Sequence, residues 1–282
     1  MVSDIPGFNL TEFVRSTLAE DLGQDGDITS RAVIPAEARF TGVMESREAI
    51  VVAGLPIAQA IFRALDTQVT IEMLVSDGQR AAPGTNLMRL AGMGRAMLTA
   101  ERSALNTVQH LSGIATLTRA YADKIAGTGA TLLDTRKTIP GLRALEKYAT
   151  RMGGATNHRM GLWDAAMIKD NHVAVAGSVS EAVRRAKAAG IARIIVEVDR
   201  IDQIEPALAA GATHLLLDNM DVPTLRGAVT LVGSRVPTEA SGGVRLDTVR
   251  AIAETGVTFV SVGRLTQSAP AVDVGLDFGA AG

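Results

Sequence analysis

The 282-residue chain is 47% apolar and 21% charged, with 28 Lys and Arg against 30 Asp and Glu and a formal net charge of -2. This is enough apolar material for one large domain or two ordinary ones. The balanced charge and an aromatic content of 3% leave neither the cationic footprint of a nucleic-acid binder nor stacking platforms for single-stranded bases. The lack of cysteine removes disulfides, thiolate nucleophiles and Cys-ligated zinc. No run reaches the roughly 18 apolar residues of a membrane span. The opening MVSDIPGFNLTEFVR has acids and no apolar signal core, so a soluble, cytoplasmic protein is expected.

Asn9 to Asp21 reads as an amphipathic helix with Leu10, Phe13, Val14 and Leu18 on one face, Asn9 as cap and Glu12 three residues on. Phe40–Val43, Ile50–Ala53 and Val69–Val75 are β-branched apolar segments, with a short helix near Ile57–Leu65 between the second and third. A helical stretch over 94–125 is expected to break at Ser112-Gly113. This gives a small N-terminal α+β domain over 1–113 whose sheet has one covered face, with 268–282 packing back on it, and a second domain over 114–267.

In that second part Thr131–Leu133, Ala165–Ile168, Ile194–Val198, His214–Leu217, Val236–Ala240 and Val257–Val262 are short apolar runs. Amphipathic stretches such as 180–189, 201–209 and 246–255 separate several of them. The alternation, with glycine boundaries and no hairpin turns, predicts a parallel sheet. Nearly every run ends in polar or glycine-rich residues: Asp134 to Lys137, Lys169 to His172, Glu197 and Asp199, Asp218-Asn219, Ser241 to Gly243, Gly263-Arg264. An open sheet gathers ligand groups at one switch point, whereas a β/α barrel carries them around its whole C-terminal face. The pattern therefore predicts a β/α barrel within the α/β class.

Between Asp134 and His172 lie seven cations (Arg136, Lys137, Arg143, Lys147, Arg151, Arg159, Lys169) against four acids, in a chain that is net acidic. Arg143, Lys147 and Arg151 recur four residues apart and read as a solvated helix face. Arg136, Lys137, Lys169 and Asn157-His158-Arg159 fall at strand ends or in loops, where packed cations call for an anionic ligand. Glu197 and Asp218 end adjacent strands and suit ion pairs, ribose hydroxyls or a magnesium ion shared with substrate phosphates. Ser241-Gly242-Gly243 and Gly263 follow the last two strands, where barrels often bind phosphate. No His-Glu-x-x-His or Gly-x-Ser-x-Gly is present, which disfavours zinc hydrolysis and a serine elbow.

The segments EDLGQDGDITS (20–30), ERSALN (101–106), LSGIAT (111–116), DTRKTIPGLR (134–143), NHR (157–159), IKDNH (168–172), EVD (197–199), LLLDN (215–219) and EASGGV (239–244) occur in this order. Together they closely resemble the quinolinate phosphoribosyltransferase family, the decarboxylating nicotinate-nucleotide pyrophosphorylases of NAD biosynthesis. The resemblance covers nearly the whole chain. It implies a type II phosphoribosyltransferase fold with an N-terminal α/β sandwich and an open β/α barrel, a head-to-tail homodimer with shared sites, and reaction of quinolinate with phosphoribosyl pyrophosphate to give nicotinate mononucleotide, pyrophosphate and carbon dioxide. By the resemblance, Arg136, His158, Arg159 and Lys169 hold the two quinolinate carboxylates, helped by Arg102 of the partner subunit. Lys137 faces pyrophosphate, Glu197 and Asp218 serve the ribose hydroxyls and Mg2+, and Ser241, Gly242, Gly243 and Gly263 take the 5′-phosphate.

The chain departs from the family pattern at Arg264 and Gln267, where Ala and His are common, and at Ala155, where a glycine is common. Three other readings stay open at this point. One is an aldolase-like barrel with Lys169 as Schiff-base amine. Another is a non-catalytic relative linked to metal-oxyanion transport, disfavoured by the intact NHR and IKDNH groups. The third is a nicotinate-specific transferase, which needs fewer cations.

Overall fold

A computed structural model describes residues 5–280, which divide into two compact units. The first comprises residues up to 118, 140–154 and the segment from 268, and the second comprises 119–139 and 155–267. Residues 140–154, placed by the sequence pattern with the barrel, thus lie in the first unit. Among the described residues no helix is long and apolar enough to cross a membrane.

The first unit is built on a four-stranded antiparallel sheet in the order β12-β1-β5-β3, with β1 at 39–46, β3 at 70–73, β5 at 86–93 and β12 at 274–280, while the short strands β2 (Ile50–Val51) and β4 (Arg80–Ala81) pair with each other. Neither β5 nor β12 stands out in the sequence, because each mixes polar residues and glycine with its apolar positions. Helix α1 (Leu10–Leu22) starts where Asn9 caps it, its side chain accepting from the Glu12 N–H at 3.0 Å, and the short α2 (Ile28–Val33) follows, capped by Asp27. Helix α3 (Leu55–Leu65) buries Leu55, Ile57, Ile61 and Phe62, each contributing about 1.5–3 kcal/mol by leaving water.

Helix α4 runs unbroken over Gly94–Ile125, so the expected break at Ser112-Gly113 is corrected. Those two residues are small for tertiary reasons. Ser112 Oγ donates to Ala53 O and accepts the Ala53 N–H at 2.9 Å. At Gly113 a Cβ would lie 2.1 Å from the Pro270 carbonyl, so the C-terminal segment can cross the helix only over a glycine.

Helix α5 (Arg143–Gly153) buries Leu145 through Thr150 consecutively. Lys147, read from its spacing as a solvated charge, is in fact 1% exposed. Period alone could not show that this helix is packed around most of its circumference. Tyr148 donates to Asp77 Oδ2 at 2.6 Å, and Asp77 also accepts the Gly54 and Leu55 N–H groups at the start of α3. Burial, with the Asp77 charge, pushes the Tyr148 hydroxyl well above its ordinary pKa.

The second unit contains a six-stranded sheet in the order β6-β11-β10-β9-β8-β7, every pair parallel. Its strands are β6 (Thr131–Leu133), β7 (Ala166–Ile168), β8 (Ile194–Val198), β9 (His214–Asp218), β10 (Thr238–Ser241) and β11 (Phe259–Ser261). The chain after α5 returns to the free edge of β6 through a single bridge, Leu133 to Thr156. Among the described residues no ladder joins that returning segment to β7, so the barrel is open there. The register sets Glu197 opposite Leu216 opposite Glu239 opposite Phe259. Two-residue alternation then places Glu197, Leu216 and Glu239 on one face at one level, with Asp218 and Ser241 one step above them on the same face at the C-terminal ends of β9 and β10.

Candidate active site

Most of the proposed cations meet beside the open edge. A cleft of about 660 Å³ is lined by Arg136, Arg159, Lys169 and His172, with Ala165, Met167, Leu162 and Val175 as apolar wall. Arg136 follows β6, and its Nε is buried without a hydrogen-bond partner. Arg159 is 8% exposed and donates from Nη1 to the Ala165 carbonyl at 3.1 Å. Burial, with Arg136 nearby, lowers its pKa. Two guanidiniums held this close, one with an unmet donor, make a site that gains from a bound carboxylate.

Lys169 precedes helix α6 (Asp170–Ala176), and its backbone N–H donates to His172 Nδ1 at 3.0 Å, so His172 caps that helix start. The Lys169 ammonium pairs with Glu197 of β8. At 46% side-chain exposure it lacks the apolar, desolvated surroundings that activate a Schiff-base lysine, which counts against the aldolase-like reading.

On the next strand Asp218 accepts from Asn219 Nδ2 at 2.6 Å. Asn219 has a φ of 54°, the one positive value among described non-glycine residues. Its N–H donates to the Ser241 carbonyl at 2.9 Å. At Gly242, with φ 88°, a Cβ would stand 2.1 Å from Asn219 Oδ1. The carboxylate strand end and the glycine turn are therefore locked against each other. Beyond β11, Lys137 lies across Gly263, where a Cβ would be 2.8 Å from Lys137 Cδ, and Thr266 Oγ1 donates to the Lys137 carbonyl at 2.7 Å. Arg264 and Gln267 are exposed on the single-turn helix that follows.

His158 stands behind the cleft rather than in its wall. It is 6% exposed; its N–H donates to Asp134 Oδ1 at 2.8 Å and its Nδ1 accepts the Arg159 N–H at 2.7 Å. Its Nε2 is 3.2 Å from Glu239 Oε2, and His214 Nε2 lies 3.0 Å from the same oxygen, off the line of a hydrogen bond. Burial raises the Glu239 pKa, but contacts from His158 and His214 outweigh it and hold it at about 2. Glu239 and His214 are inconspicuous in the sequence because both lie inside apolar runs. The available signal was alternation, since Glu239 is two residues before Ser241 and His214 four before Asp218. Arg102 is exposed on α4 in the first unit.

Residues 27–112 match the N-terminal domain, and residues 114–277 the C-terminal domain, of the quinolinate phosphoribosyl transferase family. The chain belongs to that family. It is 44% identical over 98% of its length to the whole of the nicotinate-nucleotide pyrophosphorylase [carboxylating] of Mycobacterium leprae. It is also 40% identical over 96% of its length to 78% of the chloroplastic enzyme of Oryza sativa. The solved nicotinate-nucleotide pyrophosphorylase of Francisella tularensis superposes with a TM-score of 0.92 at 38% identity, covering 98% of this chain and 99% of that one. The antiparallel N-terminal unit and the parallel barrel-like unit are thus those of a quinolinate phosphoribosyltransferase.

Proposed function

We propose that the chain joins N1 of quinolinate to C1 of phosphoribosyl pyrophosphate, releasing pyrophosphate and carbon dioxide and leaving nicotinate mononucleotide. The observation that carries this reading is the cleft holding Arg136, Arg159 and Lys169 together, with a buried and unmet Arg136 Nε. A fourth cation of the lining, Arg185, is already paired with Glu181, and the other three suit a planar ligand with two carboxylates. Arg136 and Arg159 hold the carboxylates, and Lys169 turns to them from Glu197. Once freed, Glu197 and its neighbour Asp218 stand at the ribose, where positive charge develops as the C1–O bond to pyrophosphate breaks. Lys137 faces the departing pyrophosphate, and the Ser241–Gly243 and Gly263 turns receive the 5′-phosphate. Alkylation makes N1 cationic. The ring then accepts the electron pair of the C2–carboxylate bond, carbon dioxide leaves, and C2 takes a proton.

Two carboxylates also fit Mg2+ held largely through substrate oxygens. Among the described residues no group of three His, Asp or Glu side chains could hold an ion alone. When bound, Mg2+ supplies charge neutralisation at the leaving pyrophosphate.

Arg102 belongs in this reading to a partner subunit's site in a homodimer. Support comes from Leu162 and Val175 in the cleft wall, 71% and 90% exposed, and from Trp163 next to Leu162 in sequence, 82% exposed, an apolar surface that a second copy would cover.

Incubation with quinolinate, phosphoribosyl pyrophosphate and Mg2+ should yield nicotinate mononucleotide. Nicotinate should be turned over far more poorly, since one unpaired buried cation costs about 2–5 kcal/mol. Equal use of nicotinate would reject the two-carboxylate pocket, and full activity in chelator would reject the metal role of Glu197 and Asp218. For the dimer, inactive Arg102→Ala and Glu197→Ala proteins are mixed, dissociated and reassembled. A shared site returns roughly a quarter of wild-type activity, because each mixed dimer carries one intact site. No recovery after confirmed exchange would place Arg102 in its own subunit's site.

A further inference from the structure

We propose that Glu239, with His214 beside it, is a positioning residue that fixes the His158 ring and through it the substrate-facing Arg159. This inference deepens the reading above and rests on Arg159 binding a substrate carboxylate. Glu239 sits in mid-strand on β10, directed inward and 0% exposed, where an apolar side chain would avoid the cost of burying a carboxylate.

What the carboxylate provides is direction. His158 Nδ1 accepts the Arg159 N–H at 2.7 Å, so in the neutral ring the proton sits on Nε2 and points to Glu239 Oε2, 3.2 Å away. The carboxylate, which can only accept, thereby selects the one tautomer that leaves Nδ1 free to take the Arg159 N–H. Asp134 holds the other side of the loop through the His158 N–H at 2.8 Å and Asn157 Nδ2 at 2.6 Å. His214 stacks on Phe259, with ring centroids 5.5 Å apart, which keeps it against the Glu239 oxygen. The backbone of Arg159 is thus set by a ring, and the ring by a carboxylate that is itself held between two imidazoles. None of these groups other than Arg159 lines the cleft.

The test compares Glu239→Gln, which keeps an acceptor oxygen, with Glu239→Met, which does not. Glu239→Met should raise the KM for quinolinate about tenfold or more, since a small misplacement of a binding group is costly. The KM for phosphoribosyl pyrophosphate should stay within about twofold by the same geometry, and Glu239→Gln should recover most of the quinolinate effect. Combined with His158→Ala, Glu239→Met should add nothing further, because both act through one ring. An unchanged quinolinate KM in folded Glu239→Met, or additive effects in the double variant, would overturn the proposal. Should Glu239→Met fail to fold, the long-range nitrogen–proton NMR spectrum of the wild-type protein decides. The His158 proton should reside on Nε2, and a proton found on Nδ1 of the neutral ring overturns the inference. Absence of any quinolinate turnover in the wild-type protein would instead remove the functional reading, and the NMR result stands apart from it.

Discussion

Four of the carboxylates on or directly after the barrel strands divide into two pairs by depth. Asp134 and Glu239 are 0% exposed and hold the Asn157-His158-Arg159 loop, Asp134 with both oxygens and Glu239 with Oε2. Glu197 and Asp218 reach the strand ends, are half-buried, and hold only a half-exposed lysine and a neighbouring amide. The same residue type on the same scaffold therefore does two jobs. A carboxylate whose partners are buried backbone and imidazole groups cannot release them to meet a ligand, while one paired at the rim can exchange its partner for substrate at small cost.

The largest break in this comparison should come at the rim. Glu197→Ala is expected to lower kcat by about 10²–10³ while leaving the unfolding midpoint little changed, because its charge matters most as the ribose becomes cationic. A large loss of stability with turnover retained would move Glu197 into the structural pair. Next in size is Asp134→Ala, which strips the acceptor from the His158 N–H and the Asn157 amide. Urea unfolding should show a loss of about 1–3 kcal/mol for each orphaned donor; an unaltered midpoint would mean the loop is held by other contacts. The smallest effect should appear in acid. Glu239 has its pKa lowered from an ordinary 4.5 to about 2, so its pairing stabilises the fold fully above 4.5 and is lost as pH falls toward 2. Glu239→Gln should therefore flatten the stability curve between those two values. An acid limb identical to wild type would show that folding does not lower the Glu239 pKa.

Much of the barrel was legible in the chain. The six apolar runs correspond to β6–β11 within a few residues, because a strand buried on both faces has no choice but to be apolar, and parallel strands need the helices between them. The cationic residues Arg136, Lys137, Arg159 and Lys169 were legible because they follow those runs. The first unit was harder to read. Strand β12 pairs with β1 from Phe40↔Ala280 to Ser46↔Val274, and no local pattern reveals a partner so distant in sequence.

Sequence by itself determined the order of elements, the polar strand ends and, through motifs spread along the chain, the family. Only the tertiary structure decided what each charge faces. Lys147 keeps a four-residue spacing with Arg143 and Arg151 that suits a solvated stripe, yet the helix is packed at that position. His158 sits next to Arg159 in sequence, yet one turns to a buried carboxylate and the other to the cleft. Periodicity records which side of an element a residue occupies. Depth and partner come from elements brought together across the fold, and those contacts fix whether a charge holds the protein together or meets a ligand.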